Sequence, residues 1–168
     1  MEAQIDKFFA ACNDFELCEI LTSVLEEYYG FENLKEQSEK IPIDRRLIHF
    51  LWGVYGIIEG DGYAAFWAMD CDHSSLVEAL KLIRMHILAD IAQKSLANIP
   101  PDKLGDWDAL VEYFGGDEGF AEAVDLYDAK FINERPDITG NLASYIRLNR
   151  YSYCDLVNDL EEKLIAQR

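Results

Sequence analysis

Apolar residues recur along this chain with the period of an α-helix. Leu17, Leu21, Val24 and Tyr28 fall at i, i+4, i+7 and i+11, which places them on one helical face. Pro42 stands where the first turn of a helix tolerates a missing N–H. From Leu47 to Ile58 the chain is apolar nearly all round, with Phe50, Leu51, Trp52, Val54 and Tyr55, and this predicts a helix buried in the middle of the domain. Gly60 and Gly62 interrupt that helix, and Tyr63, Phe66 and Trp67 then begin a short aromatic one. A longer pattern runs through Leu76, Leu80, Ile83, Ile87 and Ile91 and ends before Pro100-Pro101. Asp106 is placed to cap the next helix, with Trp107, Leu110, Val111 and Phe114 directed inward. Beyond Gly115-Gly116 a further helix carries the stripe Phe120, Val124, Tyr127 and Phe131. Pro136 and Gly140 mark a loop before Leu142, Tyr145 and Ile146, and the last helix reads Leu156, Leu160 and Leu164. No alternating strand pattern, internal repeat or low-complexity linker interrupts the series. The expectation is an all-α fold: a single compact multi-helix domain over residues 1–168 with a buried central helix.

Composition supports folding. Half of the 168 residues are hydrophobic, including nine Phe, nine Tyr and three Trp, which is enough for one core. Against this stand 32 acidic side chains and 15 basic ones, a net charge of −17. A folded surface of that sign repels nucleic acid and anionic membranes, and attracts cations or basic proteins. The opening Met-Glu-Ala-Gln-Ile-Asp has neither the basic nor the apolar region of a signal peptide, and the stretch from Leu47 to Ile58 is too short to cross a bilayer. Cys12, Cys18, Cys71 and Cys154 match neither a zinc site nor a disulfide framework, and read as reduced, mostly buried thiols of a cytoplasmic protein.

The acids are concentrated. Ten lie between Asp102 and Glu134, opposed only by Lys103 and Lys130, and eight lie between Asp14 and Glu39, opposed only by Lys35. With Phe120, Val124, Tyr127 and Phe131 turned inward, Glu118, Glu122 and Asp125 must project outward from the same helix. Asp108 and Glu112 repeat this one helix earlier, and Asp155, Asp159 and Glu162 repeat it in the last. Like charges at i, i+4 destabilise a helix by roughly 0.2–0.5 kcal/mol per pair, so folding alone does not ask for them. Acidic surfaces also keep proteins soluble, and composition does not choose between that role and a binding one. Phosphates follow one another at about 3.4 Å of axial rise along a DNA strand, and a rigid row of carboxylates presents a comparable line of charge.

Other chemistry falls away. Asp70-Cys71-Asp72-His73 is the one cluster with metal-capable side chains, but it lacks a second ligand pair and fits a cap and turn before the helix through Leu76. His49 and His86 lie far apart and suit packed, hydrogen-bonded positions. The glycines at 53, 56, 60 and 62 match no phosphate loop, and Glu59 and Asp61 would repel phosphate. No nucleophile elbow or zinc-protease signature is present. No catalytic residue, metal or cofactor is expected.

The segment Val54-Tyr55-Gly56-Ile57-Ile58-Glu59-Gly60-Asp61-Gly62-Tyr63-Ala64-Ala65-Phe66-Trp67 resembles a family of small all-helical bacterial domains, mostly uncharacterised, that includes the DMP-type DNA-mimic protein. In that family a helix ends in an Asn-Gly-Gly-Phe-like turn followed by a short aromatic helix. Here Gly60, Asp61, Gly62 and Tyr63 occupy the turn, and Phe66 and Trp67 follow. Leu126-Tyr127-Asp128-Ala129-Lys130-Phe131 and Leu142-Ala143-Ser144-Tyr145-Ile146-Arg147 are similar to its closing pattern. The likeness covers roughly residues 45–150, leaving helical extensions at both ends. It implies the helical fold and, further, DNA mimicry. On that reading Asp106, Asp108, Glu112, Asp117, Glu118, Glu122 and Asp125 meet the Lys and Arg of a basic DNA-binding protein, a transcription factor or nucleoid protein. The chain itself would bind neither nucleic acid nor membrane, and a homodimer would extend the negative surface. Two alternatives stay open: an acidic immunity or antitoxin protein, and a small-ligand protein or enzyme with a pocket near residues 60–73, lined by Tyr63, Phe66 and Trp67.

Overall fold

The computed structural model describes residues 2–30, 41–134 and 137–166. Pro136 and the acids Glu32, Glu36 and Glu39, with Lys35, lie outside the described residues. The described chain forms nine α-helices: α1 (Glu2–Ala11), α2 (Asp14–Tyr29), α3 (Ile43–Ala68), α4 (Ser74–Leu82), α5 (His86–Ala97), α6 (Trp107–Tyr113), α7 (Asp117–Asn133), α8 (Ile138–Leu148) and α9 (Val157–Ala166). Short 3-10 segments cover Pro101–Lys103 and Arg150–Leu156, and the described residues contain no strand. The fold is all-α. None of the described helices is long and apolar enough to cross a membrane. The chain divides into two compact units, one of residues 1–52 with 137–168 and the other of residues 53–136.

In the first unit α2 opens on a reciprocal cap. The Asn13 side chain accepts from the Glu16 N–H at 2.9 Å, and the Glu16 carboxylate accepts from the Asn13 N–H at 3.0 Å. The helix buries Leu17, Leu21 and Val24 as the spacing predicts, together with Cys18 and Leu25. Tyr28 departs from the expected stripe: it is exposed in the last turn before Gly30, where the apolar face outruns the core. Helices α8 and α9 pack on α2, and α1 packs on α9 and on the 3-10 segment that buries Tyr153 and Leu156. Ion pairs join the early and late parts of this unit, Arg147 to Asp14 at 2.5 Å, Arg150 to Asp6 at 2.5 Å and Lys163 to Glu27 at 2.5 Å.

Arg45, at the start of α3, is the buried charge of this unit. Its guanidinium grips the Asp155 carboxylate at 2.6 and 2.9 Å, donates to the Tyr29 hydroxyl at 2.8 Å and also reaches the Ser152 carbonyl. Burial would lower the guanidinium's affinity for its proton, but the hydrogen bond and charge of Asp155 raise it above its ordinary value. Reciprocally, the bond from Arg45 holds the Asp155 carboxyl below the ordinary aspartate range. Asp155 is therefore not the outward, unpaired acid that helical spacing suggests; its partner lies 110 residues earlier.

The second unit is built on aromatics. Tyr63, Phe66 and Trp67 from the end of α3 are inaccessible to solvent, and the Tyr63 ring lies 5.9 Å from Phe131 and 6.0 Å from Tyr127. Trp67 stacks on Phe114 at 6.1 Å and meets Tyr127 edge-on at 5.6 Å. Along α3 burial follows a stripe, Leu47, Ile48, Leu51, Val54 and Ile58, while Gly53 and Gly56 face solvent. The single long helix expected from Leu76 to Ile91 is instead the pair α4 and α5, packed side by side. Arg84 adopts φ +64°, the Met85 N–H bonds the Leu80 carbonyl at 2.8 Å, and the chain turns without glycine or proline. Ile87 is consequently exposed rather than on the buried stripe.

Candidate functional site

Helix α6 begins where Asp106 accepts the Ala109 N–H at 3.1 Å, an N-cap that also fixes the Asp106 carboxylate. The helix buries Leu110, and Asp108 and Glu112, each two residues from it, point away from the core and are exposed. Trp107 does not turn inward as its spacing predicts. It remains 50% exposed, resting edge-on against Phe120 at 5.1 Å. Val111 and Phe114 are half-buried.

Gly116, at φ +110°, leads into α7. This helix buries Phe120, Tyr127 and Phe131, and half-buries Val124. Glu118, Glu122 and Asp125 therefore lie along its opposite side, within about 60° of arc at 100° per residue. Asp117 and Glu118 occupy its first turn, where the positive end of the helix dipole favours them. All seven of Asp106, Asp108, Glu112, Asp117, Glu118, Glu122 and Asp125 are exposed. Among the described residues, no Lys, Arg or His forms an ion pair with any of them.

The contrast with the first unit is one of bookkeeping and of placement. Residues 53–136 hold 16 acids and 6 bases, a net of −10, whereas residues 1–52 with 137–168 hold 16 acids and 9 bases, a net of −7. In the first unit Arg45, Arg147, Arg150 and Lys163 are paired with Asp155, Asp14, Asp6 and Glu27, and His49 meets Glu26 at 2.8 Å. In the second, the carboxylates of Asp106, Asp108, Glu112, Asp117, Glu118, Glu122 and Asp125 stay open to solvent.

The turn expected at Gly60 to Tyr63 narrows to one residue. Gly60 and Asp61 continue the helix, and only Gly62 leaves it, at φ +76° and ψ −175°. A carboxylate that sequence reasoning did not single out holds this kink. Asp128 accepts the Tyr63 N–H at 2.8 Å, capping the restarted helix from α7, and its oxygen lies 2.5 Å from where a Cβ on residue 62 would stand. Burial raises the Asp128 pKa above the ordinary aspartate value, the nearby charge of Asp125 raises it further, and the Tyr63 N–H opposes both. The only sequence signal for Asp128 is its position one residue after the buried Tyr127.

Tyr63, Phe66 and Trp67 fill the core and, being fully covered, line no open cleft. The Tyr63 hydroxyl is buried without a hydrogen-bond partner among the described residues. His73 is also buried, its Nε2 at 3.0 and 3.1 Å from the Phe66 and Trp67 carbonyls, which it serves as a donor at the end of α3. Asp72 accepts from the Ser74 N–H at 3.1 Å and from the Ser75 hydroxyl at 2.9 Å, and so caps the start of α4. Cys12 and Cys18 are buried, Cys71 and Cys154 half-buried, and burial pushes the Cys18 thiol up to about 12. Within the first unit a shallow groove of about 470 Å³ is lined by Asp6, Phe9, Ala10, Cys12, Arg147 and Arg150. Its two guanidiniums are already matched by Asp6 and Asp14, which makes them ties between segments rather than an open anion receptor.

No family model, no curated protein and no solved structure matches this chain.

Proposed function

We propose that this protein is a non-enzymatic binding protein that occupies the DNA-binding surface of a basic partner, a transcription factor or nucleoid protein, by presenting ordered carboxylates in place of phosphates. One observation carries this reading. Seven exposed acids on α6, its N-cap and α7 keep no basic partner among the described residues, whereas in the other unit Asp6, Asp14, Glu27 and Asp155 are each paired with an arginine or lysine. Asp106 caps α6, and Asp108, Asp117 and Glu118 suit first turns. Glu112, Glu122 and Asp125, however, each follow another acid by three or four residues, which costs folding free energy, so their retention is better explained by what they meet outside the chain. The resemblance to a helical family that contains a DNA mimic points the same way. An immunity or antitoxin protein would use the same face against a basic toxin.

Binding of this kind is fast and weakens steeply with salt, because the Debye length falls from about 10 Å at 0.1 M to about 3 Å at 1 M. The test is competition. The protein displaces labelled duplex DNA from basic DNA-binding proteins at low salt, and the double variant Glu118→Lys, Glu122→Lys loses at least about tenfold in potency. Displacement unaffected by that reversal would rule the reading out.

A further inference from the structure

The outward side of α7 changes chemistry along its length. From Glu118 through Glu122 to Asp125 it is acidic; from Leu126 through Ala129 to Ile132 it is apolar, and all six residues are exposed. Leu126 keeps 51% of its surface in water and Ile132 keeps 68%. At about 100° per residue Ala129 falls in line with the acids, between the directions of Glu118 and Glu122, with Leu126 and Ile132 about 60° to either side of it. Phe120, Tyr127 and Phe131, which α7 gives to the core, occupy the opposite side. Steps of three or four residues join Glu118 to Glu122, Glu122 to Asp125 and Leu126, Asp125 to Ala129, and Ala129 to Ile132. Acids and aliphatic side chains therefore form one continuous strip about 21 Å long. Lys130, the one base of this helix, leaves the strip intact, because its ammonium lies over the Tyr127 ring at 4.8 Å. Single exposed apolar residues are common and carry no message. Three in a row, on a helix that already has a full core face, are not asked for by folding. Imitation of a phosphate backbone does not ask for them either, since DNA would continue the line with further charge.

Resting on the reading above, we propose that the outward face of α7 is a docking strip for a helix of the basic partner, one whose Lys and Arg are followed along its length by apolar side chains. The bases meet Glu118, Glu122 and Asp125, and the apolar side chains cover Leu126, Ala129 and Ile132. A straight strip is matched by another straight element, and the small Ala129 at its middle lets that helix come close. The partner is thereby held over more than the surface it uses on DNA, which selects one basic protein among many of similar charge. A second copy of this chain is the wrong occupant. Three apolar side chains fall short of the roughly 800 Å² per partner that a stable interface covers, and a copy adds carboxylates rather than bases.

The test uses the intact protein and two helical peptides of identical composition, one with an arginine block followed by a leucine block and one with the same residues interleaved. The wild type is expected to bind the block peptide about tenfold more tightly. Leu126→Asn with Ile132→Asn should reduce that preference to about twofold or less; both side chains are exposed, so the fold should tolerate the change. Glu118→Lys with Glu122→Lys should weaken both peptides at least about tenfold. A wild type without the preference, or a preference that survives the asparagine pair, overturns the strip and leaves the charge reading standing. Unchanged affinity for both peptides after charge reversal removes the underlying reading and the strip with it. Should the asparagine variant lose helicity, the amide resonances of the wild type decide: saturation with the block peptide must shift Leu126, Ala129 and Ile132, and unmoved signals overturn the proposal. Sedimentation showing a dimer that the asparagine pair dissolves would assign the strip to a second copy, and would also overturn it.

Discussion

Tyr63 and Tyr153 each bury a hydroxyl that has no hydrogen-bond partner among the described residues. The Tyr63 ring is enclosed by Phe66, Trp67, Tyr127 and Phe131, yet its hydroxyl finds no acceptor or donor among the described residues. A buried hydroxyl left unmatched costs about 1–3 kcal/mol, while the ring itself packs equally well without it. Tyr63→Phe should therefore raise stability by about 1 kcal/mol, read as an increase in the urea midpoint with an unchanged slope. The neighbouring Gly62 should behave in the opposite way. A side chain there must adopt φ +76° and enter the Asp128 carboxylate, so Gly62→Ala should lose about 1–3 kcal/mol in the same titration. Sequence revealed that this stretch turns and is aromatic. It did not reveal which glycine turns, because Gly60 and Gly62 look alike until a third residue, Asp128, selects one of them.

At the level of elements, boundaries marked by local chemistry are legible in the sequence, and boundaries set by distant packing are not. Asp106 and Gly115-Gly116 announce α6 and α7, and the structure places caps and turns there. The break between α4 and α5 passes through Leu82-Ile83-Arg84-Met85, which carries no breaker, so periodicity alone runs the two helices together. Exposure of the α7 acids follows from the 3.6-residue period, whereas the pairing of Asp155 needed a partner 110 residues away. That pair ties α3 to the 3-10 segment before α9. Removing one member of a buried ion pair costs about 3–5 kcal/mol, but Asp155 is 46% exposed and regains water, so Arg45→Ala should lose about 2 kcal/mol in thermal or urea unfolding. The Asp155 carboxyl is held below its ordinary value of 3.8, so its contribution is complete above that pH and fades as pH falls through the lower folded-state value. Acid titration of Asp155→Asn, which lacks this component, should show a shallower stability loss below about pH 4 than the wild type.

Across the whole molecule the two units should answer salt differently. Unit 53–136 carries −10 with its helix acids unopposed, so screening relieves repulsion within it; the other unit has ion pairs that screening weakens. Hydrogen exchange in low salt and in 0.5 M salt (roughly a 4 Å Debye length) should show α7 amides gaining protection relative to those of α2. Equal changes in both would mean that the carboxylates of α6 and α7 do not repel one another appreciably. The division of the chain has a temporal side as well. Residues 53–136 are continuous and can close as soon as they leave the ribosome. Helices α1 and α2 precede that unit but find their companions, α8, the 3-10 segment and α9, only once residues 138–166 have followed it. While residues 53–136 are being made, the apolar face of α2 therefore waits uncovered, and a chaperone that shelters exposed leucine and valine is the visitor that interval invites.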